Sequence, residues 1–252
     1  MHPIVTQIYE IQTPSEAEEI IGLGVDHVGT VLASKEQWKQ AVISDTRKVI
    51  RELKALSSFI PLFSDPDTVY AATDHYRPDI LHLCEHLSDC HRSTGCDALI
   101  KLQEGIRKRF PAVRIMRSIP IAPAGFENRV PTLELARIFE PVSDLFLTDT
   151  LLISSDPQPV AGFVGITGET CDWKTAARLV QQSAIPVILA GGLAPENVYA
   201  GIMAVKPAGV DSCTRTNAIA ADGKPVRFKK DMQRVGTFIE QTRRAEQALV
   251  QP

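Results

Sequence analysis

The sequence predicts an α/β fold, a (β/α)8 barrel formed as one domain by residues 1–252. Short apolar runs rich in β-branched residues recur eight times along the chain, and a stretch with helical spacing follows each of them. Such alternation is typical of a parallel sheet covered by helices, and eight repeats in about 250 residues suit a closed barrel. An open doubly wound sheet is the alternative, although no GxGxxG follows the first run.

The predicted elements follow from these runs. The eight strands are residues 4–9, 27–32, 59–63, 80–84, 113–117, 145–149, 186–190 and 208–213. The helices between them are residues 14–22, 46–57, 66–74, 98–110, 131–140, 173–183 and 195–204, and a last helix is predicted at 228–248. Several of these helices begin with proline, whose missing amide hydrogen costs nothing in a first turn.

Composition excludes several classes of protein. The net charge is -3 and the pI about 6.1, whereas a nucleic-acid binder needs clustered Lys and Arg against phosphate. The N-terminus has no basic lead and no long apolar region, and no stretch approaches the ~20 apolar residues of a membrane span. We therefore expect a cytoplasmic protein without membrane contact, whose five cysteines are mostly free thiols.

Polar residues and glycines follow the predicted strands. In a barrel of this kind the residues just past the C-terminal ends of the strands carry the chemistry. Here these pairs are Tyr9-Glu10, Cys84-Glu85, Asp149-Thr150, Gly191-Gly192 and Asp211-Ser212. Each pair alone is compatible with a strand that gives way to a turn, but the five together predict a site at one face.

Four motifs stand in order in the second half of the chain: LFLTD ending at Asp149, GITGETCDW at 165–173, LAGGLAPENV at 189–198 and GVDSCTRTN from Gly209. They resemble the LLD, GGTGxxFDW, LAGGLxPENV and GVDVSSGVE motifs of the phosphoribosylanthranilate isomerase family of tryptophan biosynthesis. PLF at 61–63 and ILHLCE at 80–85 fit the family's third and fourth strands. The resemblance implies a barrel enzyme without a cofactor, a monomer or homodimer, that acts on a phosphorylated small molecule.

The resemblance also implies the reaction, an Amadori rearrangement that turns an aminoaldose phosphate into an aminoketose phosphate. Such a reaction needs a general acid to open the furanose ring and a general base to remove the proton at C2. The family's acid is the Asp of LLD, here Asp149, and strand alternation turns Asp149 inward with Leu145 and Leu147. A helix cap or a solvated turn is the alternative role of Asp149. Asp211 matches the Asp that contacts the amino side of the substrate.

The family's base is a Cys at the end of the first strand, in a KICGIT motif, but Tyr9 stands at its place in QIYEIQ. A tyrosine hydroxyl, with a pKa of about 10, is a poorer base at neutral pH than a thiol, with a pKa of about 8.5. The family's SPR motif, whose Arg contacts the aromatic part of the substrate, reads SKEQW at 34–38 and has no Arg. Strand alternation turns His82 and Cys84 inward, so we hypothesise that Cys84, helped by His82 or Glu85, replaces the base.

A phosphate site is predicted at the loops after the last two strands. Gly191 and Gly192 lack side chains, so backbone amides can approach an anion, and the helix that follows adds its positive N-terminal end. A plain tight turn is the alternative interpretation of this glycine pair.

Two further segments belong to the predicted phosphate site. The family's SSG turn reads CTR at 213–215, which places Thr214 and Arg215 there. Arg215 either binds phosphate as a guanidinium fork or blocks the pocket. Gly168, together with Thr167, is predicted to shape a lid over the substrate.

Residues 82–96 read HLCEHLSDCHRSTGC and hold three of the six histidines and three of the five cysteines. The candidate metal ligands are Cys84, His86, Cys90 and His91. Five residues separate successive cysteines, a spacing that matches no structural zinc knuckle, so the primary prediction is that no metal is bound. The other interpretation is a polar loop inserted at about 86–96 on the active-site face, with a few buried thiols.

Two other functions stay open on the sequence. A relative that has lost catalysis would bind a phosphorylated ligand as a sensor or partner module. Another phosphate-binding barrel enzyme, such as an aldolase or epimerase, is the second alternative. An aldolase that forms a Schiff base needs a Lys at a strand end, and no predicted strand ends in one.

Overall fold

A computed structural model of the chain describes residues 3–87, 90, 95–153 and 158–250. The barrel strands are β1 (Val5–Ile8), β2 (His27–Leu32), β3 (Leu56–Pro61), β4 (Ile80–Leu83), β5 (Arg114–Ile121), β6 (Leu145–Thr150), β7 (Val187–Leu189) and β8 (Gly209–Ser212). All of them run parallel, each pairs with the next along the chain, and β8 pairs with β1 to close the ring. The predicted (β/α)8 barrel is confirmed.

Helices follow the strands on the outside of the ring. They are α1 (Pro14–Gly22), α2 (Ala41–Glu52), α3 (Pro66–Tyr76), α4 (Asp97–Arg109), α5 (Thr132–Phe139), α6 (Trp173–Gln182), α7 (Val198–Val205) and α8 (Met232–Val250). The side chains of Thr13, Asp65 and Asp172 accept hydrogen bonds from first-turn amides of α1, α3 and α6. Such caps satisfy amides that have no partner within the helix, so the local sequence fixes where these helices begin.

The second helix was predicted five residues too late. It covers Ala41–Glu52 rather than 46–57, and β3 already begins at Leu56. Lys54 has a φ of 63°, a left-handed conformation that cannot continue a right-handed helix. The chain therefore leaves the helix before the segment that pairs with β2.

The start of the last helix was also predicted wrongly. Residues 228–230, which the sequence analysis placed in that helix, belong to β10 (Pro225–Lys230), which pairs antiparallel with β9 (Asn217–Ile219). The true start is marked by Asp231, whose carboxylate accepts from the backbone amides of Gln233 and Arg234. The chain thus carries an extra hairpin between β8 and α8.

The strands divide their side chains between two cores. Leu145 and Leu147 pack with Tyr9 inside the ring, as strand alternation predicted. Leu81 and Leu83 instead lie in the cluster between the sheet and the helices, which leaves His82, the residue between them, turned to the interior. The predicted inward orientation of Leu145, Leu147 and His82 is confirmed.

Two other predictions concern the chain as a whole. None of the helices that the structure describes is long and apolar enough to cross a membrane. The predicted loop insertion at about 86–96 lies partly outside the described residues and stays a prediction. The assignment of residues 1–252 to a single domain also stays a prediction.

Candidate active site

Two adjoining cavities open at the C-terminal ends of the strands. The first, with about 330 Å³ of empty space that includes open solvent, is called the polar cavity and is lined by Asp149, Ile166, Thr167, Gly168, Gly191, Gly192, Leu193, Asp211, Ser212, Cys213, Thr214 and Arg215. The second, with about 450 Å³ of such space, is called the apolar chamber and is lined by Tyr9, Glu10, Val31, Ile60, Leu62, His82, Cys84, Leu147, Asp149, Val164, Ile166, Asp211 and Cys213. Asp149 and Asp211 line both, so these two carboxyl groups stand at the junction.

The glycine pair after β7 adopts a backbone that favours glycine. Gly191 and Gly192 have φ values of 90° and 62°. A Cβ at Gly192 would lie 2.5 Å from the carbonyl carbon of Glu169, and one at Gly191 would lie 2.5 Å from Oγ1 of Thr150. Both positions therefore need glycine because the loops after β6 and β7 touch each other, in addition to any role in anion binding.

Arg215 joins two loops at the polar cavity. It lies in the turn after β8, and its Nε donates a hydrogen bond of 2.8 Å to the carbonyl oxygen of Gly168 in the loop after β6. Its two terminal nitrogens have no hydrogen bond among the described residues. A guanidinium held by one nitrogen, with the other two free, suits bidentate binding of a phosphate.

Asp149 stands at the end of β6 under the following loop. Its Oδ1 accepts a hydrogen bond of 2.9 Å from the backbone amide of Thr150. Gly165, with a φ of 99°, covers the carboxylate so closely that a Cβ there would overlap it. Burial raises the pKa of Asp149 to about 7, although the hydrogen bond from Thr150 opposes this shift.

Asp211 is held by a chain of hydrogen bonds that crosses the barrel interior. Nε2 of Gln7 donates to its Oδ1 over 3.0 Å, and Oε1 of Gln7 lies 3.2 Å from Nδ1 of His27. Burial raises the pKa of Asp211 to about 7, the Gln7 bond lowers it, and the negative charge of Asp149 raises it. Two carboxyl groups that titrate near neutrality at one junction can exchange protons with a substrate in either direction.

Tyr9 belongs to a neutral hydrogen-bond network. Its hydroxyl lies 2.5 Å from Oγ of Ser58 and 2.8 Å from Nδ1 of His82, whose Nε2 lies 2.7 Å from Oγ of Ser118. Burial, aided by the charge of Asp211, raises the pKa of Tyr9 well above its ordinary value. Burial, together with the positive charge of Arg117, lowers the pKa of His82 to about 3. Neither side chain is charged at neutral pH.

Cys84 faces the apolar chamber, as predicted from the sequence. Burial first, and then the negative charges of Glu85 and Asp149, raise the pKa of its thiol well above the ordinary value. Glu85 makes a buried ion pair with Arg117 and accepts a hydrogen bond of 2.9 Å from Ser64. Its carboxylate is thus already engaged, which weakens the expected assistance to Cys84.

The cysteine and histidine segment shows a disulfide. Cys90 and Cys96 are bonded to each other, with their Cα atoms 4.7 Å apart, while Cys84, Cys171 and Cys213 are free. Three of the five cysteines are thus free, which agrees with the expectation of mostly free thiols, and Cys90 cannot be a thiolate ligand in this state. No group of three or more His, Cys, Asp or Glu within the described ranges could hold a metal ion, and the candidate ligand His91 lies outside them.

The sequence analysis did not find the strap that roofs the apolar chamber. Residues 162–166 of the loop after β6 reach the end of β4, where the amide of Val164 donates to the carbonyl of Cys84 over 2.8 Å and Phe163 pairs with Glu85, and Val164 and Ile166 line the chamber. Ile166 has a φ of 62°, although the family's GGTG motif has glycine there. A β-branched residue in this conformation is strained by about 1–3 kcal/mol, as is common at functional sites.

A second unpredicted feature fastens the β9–β10 hairpin over the first strand. Glu10, which follows Tyr9, is buried with a φ of 66°. Its carboxylate accepts hydrogen bonds from Nδ2 of Asn217, at 2.8 Å, and from Nε of Arg227, at 2.6 Å. Nζ of Lys230 donates to the carbonyl of Cys213 over 2.8 Å. The two contacts of Glu10 join residues more than 200 positions apart, so no local sequence pattern predicts them.

Comparison with known proteins assigns the family. A family profile described as N-(5'-phosphoribosyl)anthranilate (PRA) isomerase matches residues 111–216. The N-(5'-phosphoribosyl)anthranilate isomerase of Methanocella arvoryzae is 30% identical over 234 residues, which cover 92% of this chain and 94% of that protein. The chain belongs to the N-(5'-phosphoribosyl)anthranilate isomerase family. The resemblance that the four motifs indicated is confirmed.

Other members of this isomerase family agree in length and fold. The enzyme of Methanosarcina acetivorans is 27% identical over 245 residues, 94% of this chain and 92% of that protein. The crystal structure of the Thermotoga maritima enzyme has a TM-score of 0.68 at 21% identity and covers 95% of this chain and 98% of its own. A structure of a phosphoribosyl anthranilate isomerase in complex with reduced 1-(o-carboxyphenylamino)-1-deoxyribulose 5-phosphate has a TM-score of 0.66 at 19% identity, with coverage of 95% and 98%. The two structures support the fold.

Within this isomerase fold the predicted site residues come together in two groups. The residues predicted to bind phosphate or substrate line the polar cavity: Gly168, Gly191, Gly192, Asp211, Thr214 and Arg215. The residues predicted to be catalytic line the apolar chamber: Tyr9, His82, Cys84 and Asp149. Gln7, the hydrogen-bond partner of Asp211, was missed, although alternation along β1 places it on the inner face with Tyr9. The chemical role of each residue stays a prediction.

Proposed function

We propose that this protein catalyses the Amadori rearrangement of phosphoribosylanthranilate, the reaction after which its family is named. The observation that carries the proposal is the position of Asp149, which is half-buried, and Asp211, which is buried, at the junction of a polar cavity and an apolar chamber. The substrate has matching parts, namely a phosphate, a sugar whose C1 and C2 exchange oxidation states, and an aromatic amine. Each part has a complementary place along the two cavities.

The polar cavity is suited to the phosphate. The glycine pair Gly191-Gly192 and the turn at Thr214 line it, where backbone amides can bind an anion, and the free nitrogens of Arg215 add positive charge. The aromatic amine fits the apolar chamber, whose walls include Val31, Ile60 and Leu62. A phosphosugar that spans both would place its C1 and C2 between the two carboxyl groups. The relative with the bound reduced product analogue holds a ligand of this composition.

The reaction has two steps that need acid–base catalysis, the opening of the ring and the removal of the proton at C2. A protonated carboxyl donates to the ring oxygen, the furanose opens, and the amine nitrogen forms a protonated Schiff base with C1. A base then removes the proton from C2, and the resulting enaminol becomes the ketone. Asp149 is suited to the first step because burial under Gly165 raises its pKa to about 7, which keeps a large fraction protonated near neutrality.

The remaining expectations belong to the same proposal. The reaction needs neither a metal nor a cofactor, since both steps are proton transfers. A Schiff-base aldolase would need a free amine in the site. No lysine is among the lining residues of the two cavities, all of which lie in the described part of the chain, and Nζ of Lys230 donates to the carbonyl of Cys213. A cytoplasmic location and a monomeric or homodimeric state go with this proposal, and the substrate is a phosphorylated small molecule.

The test uses the purified protein and phosphoribosylanthranilate made by condensing anthranilate with ribose 5-phosphate. We expect the wild type to convert it to the aminoketose phosphate, detected by chromatography and mass spectrometry. Asp149→Asn should lower kcat by about 10²–10⁴-fold, the range for loss of a general acid. The exposed Asp45→Asn is the matched control and should have wild-type kcat.

A second readout separates the enzyme from a non-catalytic binder. Calorimetric titration with the reduced product analogue should show binding to both the wild type and Asp149→Asn, because the phosphate site is intact in both. Binding of the analogue without any turnover by the wild type would contradict the proposed function and favour the binding module. Complementation of a tryptophan-requiring strain gives the same distinction in cells.

A further inference from the structure

We propose that Asp211 is the general base that removes the proton from C2, in place of the thiol that is absent at position 9. This inference rests on the proposed function, because it assigns the second proton transfer of that reaction. The family resemblance implied only that Asp211 contacts the amino side of the substrate. The structure shows a position that also reaches the reacting carbons, since Asp211 lines the polar cavity and the apolar chamber together with Asp149.

The carboxylate of Asp211 is oriented for this role. Oδ1 is occupied by the hydrogen bond of 3.0 Å from Nε2 of Gln7. The Gln7 amide is itself oriented, because its Oε1 lies 3.2 Å from Nδ1 of His27. Oδ2 has no hydrogen bond among the described residues, so one oxygen of Asp211 is anchored and the other is available for a proton. Gln7 is a positioning residue in this arrangement.

The surroundings divide the two roles between the carboxyl groups. Burial and the charge of Asp149 raise the pKa of Asp211, whereas the hydrogen bond from Gln7 and the ammonium group of Lys230 favour its ionised form. Asp149 receives one backbone amide and lies beneath Gly165, which favours its protonated form. The charges and titratable groups that face Asp211 are Tyr9, Asp149, Cys213 and Lys230. An anion and an acid at one junction are what the two steps require.

Three other titratable residues that line the apolar chamber, Tyr9, His82 and Cys84, are less suited to removing the proton from C2. The Tyr9 hydroxyl makes hydrogen bonds to Ser58 and His82. His82 uses both ring nitrogens, one for Tyr9 and one for Ser118. The thiol of Cys84 is buried beside two acidic groups, Glu85 and Asp149, which disfavour a thiolate.

The two glutamates near the chamber are held by arginines. Glu10 lines the chamber, but its carboxylate is bound by Arg227 and Asn217. Glu85 forms a buried ion pair with Arg117. Both glutamates therefore have lowered pKa values despite their burial, mainly because of these arginines, and make poor bases.

The proposed step balances as follows. Oδ2 of Asp211 takes the proton from C2, the electron pair of the C2–H bond forms the C1=C2 bond, and the C1=N π pair returns to nitrogen. Asp211 then returns its proton to C1 as the enaminol collapses to the ketone. The hydroxyl proton of C2 passes to Asp149, which lost its own proton to the ring oxygen. Both residues end in their starting states, and no oxidant or reductant is needed.

The test compares Asp211→Asn with the wild type and with the exposed control Asp45→Asn. Substrate deuterated at C2 reports the step directly. We expect Asp211→Asn to lower kcat by about 10²–10⁴-fold and to retain deuterium at C2. Its Kd for the reduced product analogue should stay within about threefold of the wild type, because Asn keeps the hydrogen bond from Gln7.

Two outcomes would overturn the assignment. One is an Asp211→Asn variant that removes the C2 deuterium at a rate close to that of the wild type. The other is a Cys84→Ser variant that retains the deuterium while Asp211→Asn loses it, which would assign the base to Cys84. A wild type that binds the analogue but does not turn over the substrate would instead refute the proposed function, so the two failures are distinguishable.

Discussion

The phenolic oxygen of Tyr9 lies 2.8 Å from Nδ1 of His82 in the interior of the barrel. In the family motif a catalytic thiol takes the position of Tyr9. Here the larger ring fits because β2 has a glycine opposite it, and a Cβ at Gly29 would overlap the ring. The change from thiol to tyrosine thus comes with a change in packing and with a network through Ser58 and Ser118. We therefore expect Tyr9 to have a structural role.

We expect Tyr9→Phe to retain catalysis but lose stability. Were Tyr9 the base, kcat would fall by about 10²–10⁴-fold. Because its hydroxyl serves the network, we expect a fall of less than about tenfold, and a free energy of unfolding lower by about 1–3 kcal/mol, since His82 loses a buried partner. Urea unfolding and steady-state kinetics measure the two effects. A fall in kcat as large as that for Asp149→Asn would contradict this assignment.

Gly29→Ala should destabilise the fold through the same contact. The added methyl group would overlap the Tyr9 ring on a strand that is paired on both sides, so we expect a loss of about 1–3 kcal/mol or more. Gly22→Ala is the matched control, because a Cβ there has no neighbour within 4 Å, and it should change stability by less than about 0.5 kcal/mol. In a Tyr9→Leu background the cost of Gly29→Ala should shrink. Equal costs in both backgrounds would disprove the proposed contact.

Much of this barrel could be predicted from the sequence because its core strands are apolar and its helices carry caps. Leu145, Leu147 and Asp149 were assigned to one face by alternation alone, and the structure agrees. β10 was missed for the opposite reason. Its residues are mostly exposed and include Arg227 and two lysines, so no apolar pattern separates Pro225–Lys230 from a polar helix start.

The candidate site could be predicted from the sequence only in part. The motifs placed Gly191, Asp149 and Asp211 at one end of the barrel, as observed. The Gln7–Asp211 bond joins residues 204 positions apart, and the strap at 162–166 has no periodic pattern. Such contacts depend on the closed ring rather than on local sequence, so the sequence alone favoured Cys84 as the replacement base and gave no reason to consider Asp211.

Arg215→Ala should weaken substrate binding more than turnover. The variant loses charge-assisted hydrogen bonds of about 1.5–3 kcal/mol, so KM should rise by about 10–100-fold with a smaller change in kcat. Arg215→Lys should recover little of this loss, because an ammonium group cannot both bond to Gly168 and bind phosphate bidentately. The exposed Arg244→Ala serves as the control. An unchanged KM in Arg215→Ala would show that Arg215 does not contact the phosphate.

The apolar chamber should tolerate an amine without a carboxylate. No Lys or Arg is among its lining residues, all of which lie in the described part of the chain, and its charged groups are Glu10, Asp149 and Asp211. The carboxylate of anthranilate therefore gains little there. We expect the aniline derivative of 5-phosphoribosylamine to have a kcat/KM within about tenfold of that for phosphoribosylanthranilate. A preference for the carboxylate of more than about 100-fold, or about 2.7 kcal/mol, would contradict this expectation.

Asp211→Asn should make the protein more stable at neutral and alkaline pH. Burial raises the pKa of Asp211 from 3.8 to about 7, so the folded state binds a proton more tightly than the unfolded state. The contribution of this group to the free energy of unfolding is therefore fully present below pH 4 and is lost as pH rises through about 7. The loss is about 4 kcal/mol, because each of the three pKa units corresponds to about 1.4 kcal/mol.

Thermal unfolding at pH 4 and pH 8 measures this difference. Asn is neutral at both pH values and keeps the hydrogen bond from Gln7, so Asp211→Asn should exceed the wild type in Tm at pH 8 and come close to it at pH 4. The exposed Asp45→Asn should match the wild type at both. A gain in Tm that is the same at both pH values would indicate a packing effect instead. Stability gained together with activity lost is expected where a buried carboxylate is retained for catalysis.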